Sequence, residues 1–363
     1  MKIQSLHLKN FKCLENVKFE FGNLNLLAGA NGCGKSSLIQ SLLLLRQSYE
    51  KTGNADTLLT SGNYINLGAA NDILYDNADK NEDISYLICD EMGNTLELSY
   101  KYVSESHGLK CKVSPKTDLG NLNIWGNGFE YLCAERIAPQ TIYSSLNQTD
   151  FLGLHGENAF NFLEEYGDAL EVDESFFDGT DNKYLLYYVN QWLERIFPGF
   201  TARLSKIAEA DAVSLRYAEK IRDRVGNPHR AINVGFGITY VLPILVALLK
   251  AQKDNMIIIE NPEAHLHPRA QRIMGELLAK AALTGAQIII ETHSDHLLNG
   301  IRIAAKEKII EANKIKMFFF MREDVGMQYH VNVYAPQLDN EGNIDIWPEG
   351  FFDEWDNALA RLF

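Results

Sequence analysis

Three glycines, a lysine and a hydroxyl fall within the eight residues Gly29-Ala30-Asn31-Gly32-Cys33-Gly34-Lys35-Ser36. Those residue types at that spacing, G-x-x-x-x-G-K-S, suit one task, which is holding phosphate. Glycine lets a backbone wrap closely round an anion and take φ angles that other residues avoid. The loop amides and the start of the following helix then face phosphate oxygens. Lys35 would bridge β- and γ-phosphates as a point charge, Ser36 would give its hydroxyl to Mg²⁺, and Ser37 continues the run. The ligands implied are ATP and Mg²⁺.

A triphosphate site also needs an acid at the end of a neighbouring apolar strand, to hold Mg²⁺ and its waters. Met256-Ile257-Ile258-Ile259-Glu260 supplies one. Glu260 stands 260 − 36 = 224 residues beyond Ser36, so a long insertion splits the nucleotide fold. The chain continues as Asn261-Pro262-Glu263-Ala264-His265-Leu266-His267-Pro268, and the next apolar strand ends in Glu291-Thr292-His293-Ser294-Asp295. His265-x-His267 and His293-x-x-His296 have spacings that can ligate zinc. The acid before one block and the Thr-His-Ser form of the other favour two loops serving a nucleotide.

These residues need strands that end together and helices that begin there. Residues 2–9 and 14–21 alternate apolar and polar like half-buried strands. Residues 24–28 form a short strand into the glycine loop, and Leu38, Leu42 and Leu45 predict a helix of about three turns after it. Residues 49–83 read as irregular, residues 84–113 as antiparallel strands, and Phe129–Ile137 as one more strand. Residues 156–200 are mainly helical around an acidic loop at 171–181. From residue 211 onward the order is strand, Asn233-Val234-Gly235-Phe236-Gly237, a helix carrying Val241 to Ala251, strand, helix, strand, helix, and a strand at 316–321, predicting parallel strands with crossover helices.

Composition bounds the rest. With 363 residues, 46% hydrophobic and 23% charged, the chain can bury a large core. A net charge of −14 argues against coating nucleic acid by bulk charge, although a local basic patch can still bind it. The densest basic stretch is Arg216, Lys220, Arg222, Arg224, His229 and Arg230, a candidate DNA or RNA contact or, with Glu219 and Asp223 interspersed, a solvated strand pair. Five dispersed cysteines without a C-x-x-C pair, one of them in the phosphate loop, fit a reducing cytoplasm. The N-terminus has no signal-peptide core, and Leu42–Leu45 is too short to span a bilayer. Trp347, Phe351, Phe352 and Trp355 read as core more than as a docking patch.

The phosphate loop, Asn10-Phe11-Lys12, the Glu260–Pro268 block and Thr292-His293-Ser294 together resemble ABC-type ATPases of the branch containing RecF, the SMC proteins and the OLD (overcoming lysogenization defect) proteins. Ile346-Trp347-Pro348-Glu349-Gly350-Phe351-Phe352 resembles a C-terminal module of a bacterial subgroup of them. The resemblance implies an α/β fold: a P-loop ABC-ATPase-like head with an antiparallel β lobe, a parallel-sheet lobe and a helical insertion. It would be one split domain over 1–363. N-terminal strands and phosphate loop would occupy 1–48, the antiparallel lobe 49–137 and the helical insertion 138–205. The signature, Walker B acid and switch histidine would occupy 206–305, and the C-terminal module 306–363.

By resemblance, Glu260 is the Walker B acid, a Mg²⁺ site with Ser36, and His293 reads the γ-phosphate. Lys12 approaches the nucleotide, and Gly235, Gly237 and Thr239 belong to a signature segment that caps the γ-phosphate of a second subunit. Many relatives carry a glutamate directly after the Walker B acid, but here Asn261 follows and cannot be a base. Either Glu263 takes that task or ATP serves mainly as a dimer clamp, and slow hydrolysis with Glu263 involved is the favoured reading. The implied protein is a cytoplasmic, ATP-gated homodimer controlling a separate effector in antiviral defence. The alternatives are a RecF-like ATPase that binds DNA directly and a nucleotide-gated scaffold with little turnover. Only 363 − 295 = 68 residues follow the last motif, and no nuclease pattern is seen.

Overall fold

Alternation at the N-terminus becomes a hairpin in which β1 (Ile3–Phe11) and β2 (Leu14–Glu20) pair antiparallel and bury Leu6, Leu8 and Phe19. The computed structural model describes residues 1–79, 81–112, 120–145, 150–221, 224–325 and 328–362. It separates into one unit of Met1–Asn127, Asn313–Leu338 and Ile344–Phe363, and another of Gly128–Ala312 and Asp339–Asn343.

In the first unit β3 (Leu24–Gly29) is buried from Leu24 to Ala28, as a strand covered on both faces must be. Helix α1 (Lys35–Thr52) follows and is 18 residues long, well beyond the expected turns. Leu43 and Leu44 are as buried as Leu38 and Leu42, so the helix is apolar on most sides. It stops where Gly53, at φ 74°, turns its N–H onto Tyr49 O. The stretch read as irregular holds β4 (Thr57–Leu59). Next come β5 (Ile84–Asp90), β6 (Thr95–Tyr100) and β7 (Gly108–Lys110). β5 and β6 extend the N-terminal hairpin into one antiparallel sheet, β2-β1-β5-β6, while β4 pairs with β7.

The second unit opens with β8 (Phe129–Leu132), β9 (Tyr143–Ser144), α2 (Ala159–Tyr166) and α3 (Leu185–Ile196). Strands β10 (Phe200–Ile207), β11 (Ala212–Ile221), β12 (Arg224–Val225) and β13 (His229–Arg230) lead to α4 (Phe236–Leu249). Then β14 (Met256–Glu260), α5 (Pro268–Leu283), β15 (Gln287–Glu291) and α6 (Asp295–Lys306) alternate as expected. β8 was grouped with the antiparallel lobe, but it pairs in parallel with β14. Its four residues are all buried, which suits a parallel strand better than an alternating edge. β14 also pairs in parallel with β15, their isoleucines in register. Helices α5 and α6 meet through Gly275 and Gly300, where added Cβ atoms would stand 2.3 Å from Leu297 O and 2.1 Å from Arg272 O.

The chain returns to the first unit as β16 (Ile315–Val325), parallel to β3, and β17 (Gln328–Tyr334), antiparallel to β16. Helix α7 (Glu354–Leu362) ends it. Neither β17 nor α7 was anticipated. The C-terminal aromatics divide: Phe351 is buried against Phe319, whereas Trp347 stays 46% exposed. Among the described residues no helix is long and apolar enough to cross a membrane.

Candidate functional site

The phosphate loop joins β3 to α1, and each glycine is required for its own reason. Gly29 (φ 139°) could carry a Cβ only 2.3 Å from Phe320 O, and Gly34 (φ 100°) only 2.6 Å from Cys13 Sγ. Gly32 (φ 78°) has nothing within 4 Å, so only its backbone conformation demands glycine. Ala30, Asn31, Gly32 and Ser36 are exposed, while Cys33, Gly34 and Lys35 are buried. Gly34 caps α1 without a side-chain bond, and the first turn contains no acid. Such an end directs the helix's positive pole at any anion seated on the loop.

Lys35 is only 3% exposed, and its Nζ donates to the carbonyls of Gly29 and Ala30, each at 2.9 Å. Ser37 is buried with Oγ 3.4 Å from Cys13 Sγ. Burial pushes the Cys13 thiol up, against the lowering effect of that contact. Lys12, at φ 51°, donates from Nζ to Gln40 Oε1 at 2.9 Å, which lays it along α1.

In the second unit the carboxyl ends of β14 and β15 bring the acids together. Glu260 Oε1 accepts from the Tyr131 hydroxyl at 2.9 Å, and Oε2 accepts from the Ala134 N–H at 3.0 Å. Burial, and after it the Glu260 charge, hold the Tyr131 phenol far above its usual range. Glu291 ends β15 in register with Glu260 and is itself buried. Asn261 turns the chain at φ 45°. Glu263 Oε1 accepts from the His293 N–H at 2.8 Å, so this acid bridges the two loops. Glu263 Oε2 and Asn261 Oδ1 are buried without hydrogen-bond partners. Buried polar atoms are rarely left so, and these two lie on the one turn that follows β14.

The histidines divide by task. His267 caps α5, Ser294 caps α6, and the His265 ring lies edge-on to Tyr240 at 4.8 Å and to Phe236 at 5.0 Å. The His293 side chain is exposed. Among the described residues no cluster of three or more His, Cys, Asp or Glu is placed to hold a metal.

Helix α4 begins in the segment expected to be the signature. Gly235 is its exposed N-cap, and Ile232 and Phe236 beside it are 48% and 43% exposed. Gly237 is buried, and a Cβ there would stand 2.6 Å from His265 O. Thr239 departs from the expectation that it faces a partner. It is fully buried and its hydroxyl is bonded to Tyr217 Oη at 3.2 Å, so its side chain cannot reach a ligand across an interface.

Three residues escaped the sequence reading. Arg136 and Tyr131 precede Glu260 by more than a hundred residues and carry no spacing signal. Arg203 does: strand alternation would have aligned it with Arg216. Arg203 pairs opposite Arg216, and Arg216 opposite Arg230, so three exposed arginines cross β10, β11 and β13 in one row. Lys220 shares their face by alternation, while Glu219, an odd number of residues from Arg216, points to the other. Arg222 and Asp223 lie outside the described residues, and the Arg224 backbone forms β12.

Comparison with known proteins finds similarity along most of the chain. Residues 1–118 match an AAA ATPase domain family, and residues 142–299 match an AAA domain family whose description names the AbiEii toxin of type IV TA systems. Residues 310–362 match a family described as a protein of unknown function (DUF3696). The Old nuclease of Escherichia phage P2 is 28% identical over 155 residues, covering 41% of this chain and 25% of that protein. The chain thus spans a quarter of that relative's length. Among solved structures, the Smc head domain with an extended coiled coil from Pyrococcus furiosus, bound to the C-terminal domain of ScpA, has a TM-score of 0.51 at 13% identity, covering 99% of each chain. The SMC head domain from Thermotoga maritima has a TM-score of 0.49 at 11% identity, covering 92% of this chain and 99% of that one. Two stretches of the chain are thus similar to AAA ATPase domains, and its α/β fold is like that of an SMC head.

Proposed function

We propose that this chain binds ATP with Mg²⁺ on the Gly29–Ser36 loop and works as an ATP-gated homodimeric switch in the cytoplasm, turning over slowly and controlling a separately encoded effector of antiviral defence. The observation that carries the ATP site is the acid-free start of α1, with a glycine as its N-cap, behind a loop whose glycines leave open space at Gly32. Lys35 and the loop amides bind the phosphates, with Ser37 and Lys12 beside them. Ser36 and Glu260 would hold Mg²⁺, which would offset phosphate charge. Glu263 orients the attacking water, a role favoured by its partnerless Oε2 and by the bond that ties it to the His293 loop. His293 reads the γ-phosphate.

The exposed start of α4, with Gly235 between Ile232 and Phe236, is the surface offered to a second copy, whose nucleotide it caps. ATP then favours the closed dimer through contacts that ADP cannot make. Sedimentation velocity tests this reading. A monomer should become a dimer when ATP and Mg²⁺ are added, and an unchanged sedimentation coefficient at saturating ATP refutes the clamp. Pull-down with a non-hydrolysable analogue identifies the effector.

One observation favours direct DNA binding as a second reading. Like charges directly opposite on a sheet destabilise it, yet Arg203, Arg216 and Arg230 stand in one row with no ion-pair partner among the described residues. A phosphate backbone would relieve that repulsion. In fluorescence anisotropy with duplex DNA, Arg216→Gln should weaken binding and reduce the salt slope by about 1. No salt-dependent binding by the parent chain eliminates this reading.

A further inference from the structure

Arg136 lies outside every motif, yet it is 4% exposed and its guanidinium meets the turn that follows β14. Nη1 donates to Asn261 O at 3.3 Å, and Nη2 donates to Glu260 O. Its own N–H donates to the Tyr240 hydroxyl at 2.9 Å, which in turn donates to Ala134 O at 2.6 Å. The guanidinium also lies over the Tyr240 ring, 5.3 Å from its centre. Tyr240 belongs to α4, whose first turn is the exposed signature segment, and its ring edge touches His265 in the loop beyond Glu263.

We propose that Arg136 is a positioning residue that couples α4 to the acid-bearing turn. One planar cation grips both carbonyls where β14 ends and rests on the helix that must register a partner's nucleotide. Three features favour this over a core arginine that merely fills space. Asn261 is held at φ 45°, a conformation costly for a non-glycine residue, and its carbonyl is one of the two gripped. Arg136 Nε is buried without an acceptor. The guanidinium is fixed from two elements at once, over the Tyr240 ring of α4 and on the carbonyls that end β14.

The grip has a defined mechanical effect. A shift of α4 moves Tyr240, Tyr240 carries Ala134 and Arg136, and Arg136 carries the carbonyls of Glu260 and Asn261. The Ala134 N–H that bonds Glu260 Oε2 moves with them. Closure of a partner onto α4 is thereby converted into the placement of Glu260 and Glu263. The inference rests on the ATP site proposed above, and the test keeps the two separable.

The test uses the full-length chain with Arg136→Lys, Arg136→Met, Tyr240→Phe and the Arg136→Met/Tyr240→Phe double variant. Binding of a fluorescent ATP analogue should stay at the parent value in all four, because the phosphate loop is untouched. Turnover should fall about 100-fold in Arg136→Met, the usual cost of a misplacement near 1 Å. Arg136→Lys should fail almost as badly, since an ammonium cannot bridge two carbonyls and stack on a ring. Tyr240→Phe should lose less, and the double variant should be no slower than Arg136→Met, because both act through one linkage. Arg136→Ala, tested with added guanidinium ion, should recover part of the lost rate. Hydrogen exchange reads the same linkage independently of turnover: ATP should protect both the α4 start and residues 260–266 in the parent, but only the α4 start in Arg136→Met. Parent-like turnover in Arg136→Met, additive losses in the double variant, or equal protection of residues 260–266 would each overturn the coupling. Absence of ATP binding by the parent chain would instead overturn the ATP site itself.

Discussion

Replacing Glu263 separates two quantities that mutations usually move together. Its Oε1 accepts the His293 N–H at 2.8 Å, and its Oε2 is buried with no partner. Glu263→Gln keeps the acceptor and exchanges an unpaired anionic oxygen for a neutral amide group. An unmade buried bond costs about 1–3 kcal/mol, and more for a charged atom, so the exchange should change stability by less than about 1 kcal/mol, in the favourable direction. The loss of a nearby negative charge from Arg136 works against this gain and keeps it small. Glu263→Ala deletes the acceptor as well and should cost about 1–2 kcal/mol. A positioned acid or base contributes about 10²–10⁴-fold to rate, so turnover should fall by that factor in both variants. The assay pairs denaturant midpoints with steady-state phosphate release on the same preparations. Glu263→Gln turning over at the parent rate refutes the catalytic assignment. Glu263→Gln destabilised by more than about 2 kcal/mol refutes the claim that its carboxylate is buried at a cost.

Two further predictions concern the scaffold. Gly237→Ala places a Cβ 2.6 Å from His265 O, and overpacking of about 1–3 kcal/mol less a helix gain of about 1 should leave the variant less stable than the parent. Gly235→Ala meets nothing within 4 Å, so denaturant midpoints of the two should differ in that order, and a more stable Gly237→Ala contradicts the contact. Burial holds the phenols of Tyr86, Tyr100 and Tyr217 above their ordinary range, so they stay protonated in the folded chain while the unfolded chain ionises. Their contribution is intact below pH about 10 and is lost as pH rises beyond it, by up to about 1.36 kcal/mol per unit for each phenol. Tyrosinate absorbance followed with circular dichroism should show these phenols ionising only as the fold is lost, and titration within an intact fold counts against the prediction.

The elements that position the site were legible because their signals are local. The apolar runs at 256–259 and 287–290 could only be buried strands, and glycine spacing located the loop. What escaped depended on contacts distant in sequence. Nothing between residues 129 and 137 says that Phe129–Leu132 lies parallel to a strand more than a hundred residues later. Arg136 looks like a charge in a loop until it is found beneath Glu260. Thr239 is a signature residue by resemblance alone, but its place on α4 turns it inward to Tyr217. The basic stretch was ambiguous for a simpler reason: acids interleave with it in sequence, and strand alternation then puts Glu219 on the face away from Arg216.

The central claim is that Lys35 and its loop bind ATP, and isothermal titration calorimetry of the parent chain against Lys35→Ala tests it most directly. Lys35 supplies a charged donor to phosphate, and a charged hydrogen bond worth about 1.5–3 kcal/mol corresponds to a loss of roughly 10–150-fold in affinity. The account predicts Mg²⁺-dependent ATP binding by the parent and a loss of that size in the variant. Equal affinity in the two chains would contradict it.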